Sequence, residues 1–149
     1  MQQIVVRKMK SKDLDIVSEL AMLANPFAEK EKYREHLKEE FDSNSELAFV
    51  AVKGGRVVGY VMGDVHNSHS VLEDVAVDVE YQNQGIGTLL IEAELEALKN
   101  SKAKIIVAEV HYKCASSIPF YYKHGFRISG VWRNFFGMNH DAIILELIL

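Results

Sequence analysis

The 149-residue chain has a single cysteine, Cys114, so no internal disulfide can form, in agreement with a reducing compartment. It also lacks an apolar run of membrane-spanning length, since the longest candidate, Ala142 to Leu149, is interrupted by Glu146. The N-terminus places Gln2, Gln3, Arg7 and Lys8 around a short apolar group and has no signal-peptide core. A cytoplasmic protein without a membrane partner is the expectation. Positive charge is scarce as well: a formal charge of −4 and a pI near 5.9 argue against a nucleic-acid partner held on a broad basic face. That balance suits a basic or amine-bearing partner better. Repeats and low-complexity segments are absent. What is present, 48% hydrophobic and 26% charged residues, is the composition of one globular domain spanning 1–149 with a substantial core. A homodimer is compatible with it.

The most informative stretch runs from Leu72 to Leu98. Val75 and Val77 alternate as strand residues do, whereas Ile86, Leu89, Leu90, Ala93, Leu95, Ala97 and Leu98 approximate the apolar face of a helix. The change of period occurs across Gln82-Asn83-Gln84-Gly85-Ile86-Gly87. Its two glycines keep side chains away from a ligand approaching the peptide amides, and the helix start beyond them has free N–H groups and a partial positive charge. Such a turn suits an anion, above all a phosphate. Two familiar nucleotide motifs do not fit: Leu90 stands where a Rossmann fingerprint needs a third glycine, and Thr88-Leu89 follow Gly87 where a P-loop needs lysine and a hydroxyl residue.

The pattern that fits is Gln82-x-x-Gly85-x-Gly87, preceded by Val75-Ala76-Val77 and followed about 35 residues later by Phe120-Tyr121-Tyr122-Lys123-His124-Gly125-Phe126. In both motifs and their order the chain resembles the GNAT superfamily of acetyl-CoA-dependent N-acetyltransferases, and among them the ribosomal-protein N-terminal acetyltransferases. The resemblance implies acetyl-CoA as cosubstrate, with Gln82, Asn83, Gln84, Gly85, Ile86, Gly87 and Thr88 around its diphosphate. The backbone of Val75, Ala76 and Val77 would then meet the pantetheine arm and polarise the thioester carbonyl. Cys114 occupies a place where many members carry an asparagine that contacts the arm, so Ser116 or Ser117 is the candidate replacement.

Taken in order, the chain reads as a strand at Ile4 to Lys8, a helix from Ser11 to Ala24 with Ser11 as cap, and a charged outer helix from Glu29 to Phe41. A hairpin follows, Leu47 to Lys53 and Arg56 to Gly63 around Gly54-Gly55, then a loop at Asn67 to His69 and the stretch described above. Strands at Lys104 to Val110, Phe126 to Trp132 and Ala142 to Ile148, with a short helix at Ala115 to Lys123, complete an α/β chain. The expectation is the GNAT fold: a mixed sheet of about seven strands with about four helices on its two sides.

Acetyl transfer to an amine requires a base for the amine and an acid for the departing thiolate. Tyr121 holds the resembled family's general-acid position, and a phenol is able to protonate a thiolate at hydrogen-bond distance; a core tyrosine is the alternative reading, with Tyr122 beside it. Glu109 ends an apolar strand 12 positions earlier, a spacing similar to the Glu-to-Tyr pair of ribosomal-protein acetyltransferases. Glu73 and Asp74 compete for the role of base or amine holder, similar to an acidic pair in amino-sugar-phosphate and polyamine acetyltransferases. Phe27 is a candidate acceptor contact or a helix staple. Phe135 and Phe136, in Trp132-Arg133-Asn134-Phe135-Phe136, resemble an aromatic loop that closes on a peptide, or else form a lid over the core. His66, His69 and His111 lack companions at ligand spacing, so no metal is expected. The resemblance implies an N-terminal α-amine as the preferred acceptor, or alternatively a small amine such as a polyamine or amino sugar phosphate; a non-catalytic CoA-binding sensor is the reading from another class.

Overall fold

The computed structural model describes residues 2–26 and 28–149. Phe27, a candidate acceptor contact, lies outside the described residues. Seven strands form one mixed sheet: β1 (Ile4–Lys8), β2 (Ala48–Lys53), β3 (Arg56–His66), β4 (His69–Val77), β5 (Ile105–His111), β6 (Arg127–Trp132) and β7 (Ala142–Ile148). Their order across the sheet is β1-β2-β3-β4-β5-β7-β6. The helices are α1 (Leu14–Ala24), α2 (Lys30–Ser43), α3 (Ile86–Leu98) and α4 (Ile118–Lys123). The expected number and order of elements is thus observed. None of the described helices is long and apolar enough to cross a membrane.

Contacts gather the residues into two compact units, one comprising 1–64 and 74–101, the other 65–73 and 102–149. In the first, β1, β2 and β3 pair antiparallel. Gly54 and Gly55 both adopt positive φ, +59° and +77°, so the two-residue turn takes the form that matches the twist of its strands. Leu14, Val17, Leu20 and Ala21 of α1 pack with Leu37, Val50, Tyr60 and Met62 to form the core. α2 buries Leu37 alone, with Tyr33 and Phe41 packed part-buried against the core, as its charged sequence predicts.

Two expectations need correction here. Ser11 is not the helix cap: a 3-10 turn, Ser11–Asp13, precedes α1, and the Asp13 carboxylate accepts the Lys10 N–H at 2.8 Å and two Arg7 N–H groups at 2.8 and 3.0 Å. The Arg7 hydrogen bonds hold Asp13 below the usual carboxylate range. A buried carboxylate with a guanidinium partner thus fixes the chain entering α1, although it makes no side-chain cap bond to that helix's own N–H groups. The buried face of α3 is also shifted, comprising Ile86, Leu90, Ile91, Glu94 and Leu98, while Leu89 is exposed. Glu94 is 2% exposed, and neither carboxyl oxygen has a hydrogen-bond partner among the described residues.

In the second unit, β5 runs parallel to the start of β4 over His69–Leu72 and antiparallel to β7 over its whole length. Glu109 faces Ile144 across that ladder and His111 faces Ala142. The residues after β5 form a 3-10 segment, Tyr112–Ser117, bent at Cys114, and lead directly into α4. Between β6 and β7 the chain reverses through Asn134, Gly137 and Asn139, all at positive φ. The N–H of Phe136 donates to His140 O, and that of His140 to Gly137 O, at 3.0 and 2.9 Å. This loop is hydrogen-bonded to itself rather than extended.

Candidate active site

The turn before α3 is braced from several sides. Asp78 Oδ1 accepts the Glu80 N–H at 3.1 Å, the Gln82 amide donates to Val77 O at 3.1 Å, and Lys53 Nζ donates to Gln84 Oε1 at 2.9 Å. Asn83 and Gly85 have positive φ, +63° and +81°, and Leu89 N–H to Gly85 O at 3.1 Å opens the helix. A Cβ built on Gly85 would meet no atom within 4 Å, so the space in front of the first α3 amides is open. Gln82 through Gly85 are exposed, Gly87 and Thr88 half-buried and Ile86 buried as the helix anchor. Thirteen residues of aligned peptide dipoles stand behind this opening. The donor set suits a diphosphate.

Upstream, Ala76 is buried between half-buried Val75 and Val77, the alternation expected of β4. Asp74 is not a free carboxylate. Its Oδ2 accepts both the Tyr33 hydroxyl and, at 2.6 Å, the hydroxyl of fully buried Tyr60. Desolvation pushes its pKa up, against the two phenols, the charge of His36 and the Val75 N–H, each of which favours the ionised form. The Val75 amide, a candidate carbonyl polariser, is thereby drawn partly to Asp74. Tyr33 and Tyr60 were not legible as functional residues, because nothing in their spacing links α2 and β3 to β4.

In the second unit, Glu73 is half-buried, as is Glu109, which lies on the same face of β5 as buried His111. Tyr121 is 9% exposed, its ring edge-on to Phe120 and Phe126 at 5.5 Å each. Tyr122 is exposed: its hydroxyl accepts the Ile128 N–H at 3.4 Å, and Arg127 lies 4.9 Å over its ring. The motif's two tyrosines thus point differently, and the inward one is Tyr121. Cys114 is half-buried, and Ser117 Oγ donates to its carbonyl at 2.7 Å, which leaves the serine oxygen able to accept.

His111 is a residue whose place only the structure reveals. Its Nδ1 accepts the Lys113 N–H at 3.1 Å, which leaves Nε2–H to donate to His140 Nδ1 at 2.9 Å. Burial, with the neighbouring His140 and Lys113 charges, lowers its pKa. Its ring also lies 4.8 Å from Tyr112 and 5.4 Å from Phe136, and Phe136 in turn meets Phe135 edge-on at 4.9 Å. The aromatic loop is therefore fastened to the end of β5 at His111, two residues past Glu109.

Residues 14–126 match the model of the Acetyltransferase (GNAT) family. The chain is 30% identical to an N-alpha-acetyltransferase of Sulfurisphaera tokodaii, over 94% of this chain and 90% of that one. It is 29% identical to the ribosomal protein bS18-alanine N-acetyltransferase of Escherichia coli, over 68% and 70% of the two chains. Its fold is similar to that of a GNAT family acetyltransferase from Elizabethkingia anophelis crystallised with acetyl-CoA bound, with a TM-score of 0.79, 23% identity and coverage of 98% of each chain.

Proposed function

Because the chain belongs to the Acetyltransferase (GNAT) family, we propose that it is an N-acetyltransferase moving acetyl directly from acetyl-CoA to a primary amine, with a protein or peptide N-terminal α-amine as the preferred acceptor. Acetyl-CoA supplies the activated acyl group. Gly85, Ile86, Gly87 and Thr88 hold its diphosphate with backbone amides, and Gln82, Asn83 and Gln84 border them. Val75, Ala76 and Val77 supply the backbone for the pantetheine arm, and the resemblance to the family assigns Cys114 and Ser117 to the same arm. Glu109 takes a proton from the ammonium, directly or through water; the neutral nitrogen attacks the thioester carbon, the C–N bond forms, the nitrogen gives up its second proton to solvent, which in turn restores the Tyr121 phenol, and the C–S bond breaks. Tyr121 gives its proton to the departing thiolate.

The observation that carries the choice of acceptor is the state of Asp74. Its Oδ2 already accepts the Tyr33 and Tyr60 hydroxyls, and drawing that oxygen onto a dicationic amine would weaken both bonds, one of them to a fully buried phenol. The base is then Glu109, and its task is modest for an α-amine: with a pKa near 8, about a tenth is already neutral at pH 7, against well under one part in a thousand for a lysine-like amine near 10.4. Glu109→Gln is expected to lower kcat/KM for a peptide amine at least tenfold, more than Glu73→Gln or Asp74→Asn does. Steady-state rates read by thiol release check this; the reverse ranking, with spermidine or glucosamine-6-phosphate turned over faster than any peptide, would reassign the acceptor to small amines. Acetyl-CoA binding without release of thiol to any amine would leave a sensor.

Gly85→Asp is expected to weaken acetyl-CoA binding more than tenfold by calorimetry. A non-glycine residue at φ +81° costs about 1 kcal/mol, and the new carboxylate stands in the opening that the phosphate would fill. An unchanged Kd in a folded variant would remove the turn from the cosubstrate site.

A further inference from the structure

Beside the fastened aromatic loop lies an open cavity of about 490 Å³, lined by Tyr112, Arg133, Asn134, Asn139 and Asp141. Asn134 Oδ1 accepts the Asn139 N–H at 2.8 Å, so the Asn134 side-chain amide still has both its N–H groups to give. Asp141 Oδ1 accepts the Asn134 N–H at 2.9 Å, and the Tyr112 N–H donates to Asp141 O at 3.0 Å, so one carboxylate oxygen of the lining already holds the loop. Arg133 has no ion pair and no hydrogen bond among the described residues, in a chain of net charge −4. A guanidinium presents a planar fork of donors that matches a carboxylate in two parallel hydrogen bonds.

Position adds the second argument. Tyr112 follows Glu109 by three residues, two of them in β5 and the third just past its end, so the two positions lie no more than roughly 10 Å apart. An acceptor chain in extended form, anchored with its amine at Glu109, covers the same length in about three residues. The exposed side chains Trp132 (60%), Phe135 (38%) and Phe136 (45%), which contact one another in the same β6–β7 hairpin, offer a peptide apolar surface. The loop is already turned and hydrogen-bonded, so little ordering is left to be done on binding.

We propose that this cavity is an acidic-residue subsite, in which Arg133, with the Asn134 and Asn139 amides and the Tyr112 hydroxyl, receives the carboxylate of the third or fourth residue of an acceptor peptide. The inference rests on the N-terminal acceptor reading and adds a charge preference to it. It is tested with the full chain, acetyl-CoA and three peptides that differ only in carrying Asp, Gln or Lys at the third and fourth positions. The acidic peptide is expected to have about tenfold higher kcat/KM than the basic one, carried by KM, and the preference shrinks between 0.05 and 0.5 M salt. R133Q should bring the three peptides within about threefold of one another and R133E should favour the basic peptide, with circular dichroism confirming the fold of each. Equal kcat/KM for the three peptides on the unmodified enzyme, a basic preference, or an acidic preference that persists in R133Q would overturn the subsite while leaving the N-terminal reading in place. Turnover of a small amine with none of any peptide would overturn both.

Discussion

Tyr121→Phe is expected to lower kcat by roughly 10²–10⁴, equivalent to about 3–5 kcal/mol of barrier, with little loss of stability. The ring stays where it is: its edge-on packing against Phe120 and Phe126 involves no hydroxyl. What is lost is the proton donor. The thiolate of the product has a conjugate acid near pKa 8.5, so its expulsion from a collapsing tetrahedral adduct is helped by a donor already held in place, even a phenol near 10. Tyr122→Phe makes the same chemical change one residue later at an exposed position, where it removes a weak bond to the Ile128 N–H. Pre-steady-state measurement of thiol release separates the two variants. Equal losses would mean that α4 presents the wrong tyrosine to the thioester, and an unchanged kcat in both would mean that water or another group protonates the leaving thiolate.

The turn at Gln82 to Gly87 and the glycine hairpin were legible because their residue types state a backbone requirement directly. Glycines sit where positive φ occurs, at Gly54, Gly55 and Gly85. The alternation of β4 and the outward character of α2 were legible for the same reason: period and charge are local quantities. What could not be read were partnerships across distance in the sequence. Arg7 with Asp13 displaced the expected Ser11 cap, and Asp74 found two phenols 41 and 14 residues away. Likewise His111 is paired with His140, 29 residues on, which fastens the aromatic loop to β5. Each is a polar group that burial forces to find a partner, and the sequence names the group without naming the partner. Candidate site residues were therefore recognisable by motif, while the groups that orient them emerged only in three dimensions.

Glu94 breaks that rule, and its consequence is a steep dependence of stability on pH. It faces the core from α3, between Leu90 and Leu98, where the helical period calls for an apolar residue, and desolvation raises its pKa from 4.5 to about 8. Below pH 4.5 the carboxyl is neutral in folded and unfolded chain alike and costs nothing through ionisation. Between 4.5 and 8 the unfolded chain releases the proton and the folded chain keeps it, so stability falls by about 1.4 kcal/mol per pH unit. The loss amounts to roughly 3 kcal/mol by pH 7 and levels off above 8, where both states are ionised. Glu94→Leu removes the titration and places an apolar side chain in an apolar setting. The variant's advantage over the parent protein, measured by urea unfolding, is therefore expected to grow by about 3 kcal/mol from pH 4.5 to pH 7. Glu94→Gln keeps the shape and abolishes the same slope, while still leaving an amide to be buried. Parallel pH profiles for the parent and both variants would show that Glu94 ionises as readily in the folded chain as in the unfolded one, and that the α3 face is open to water.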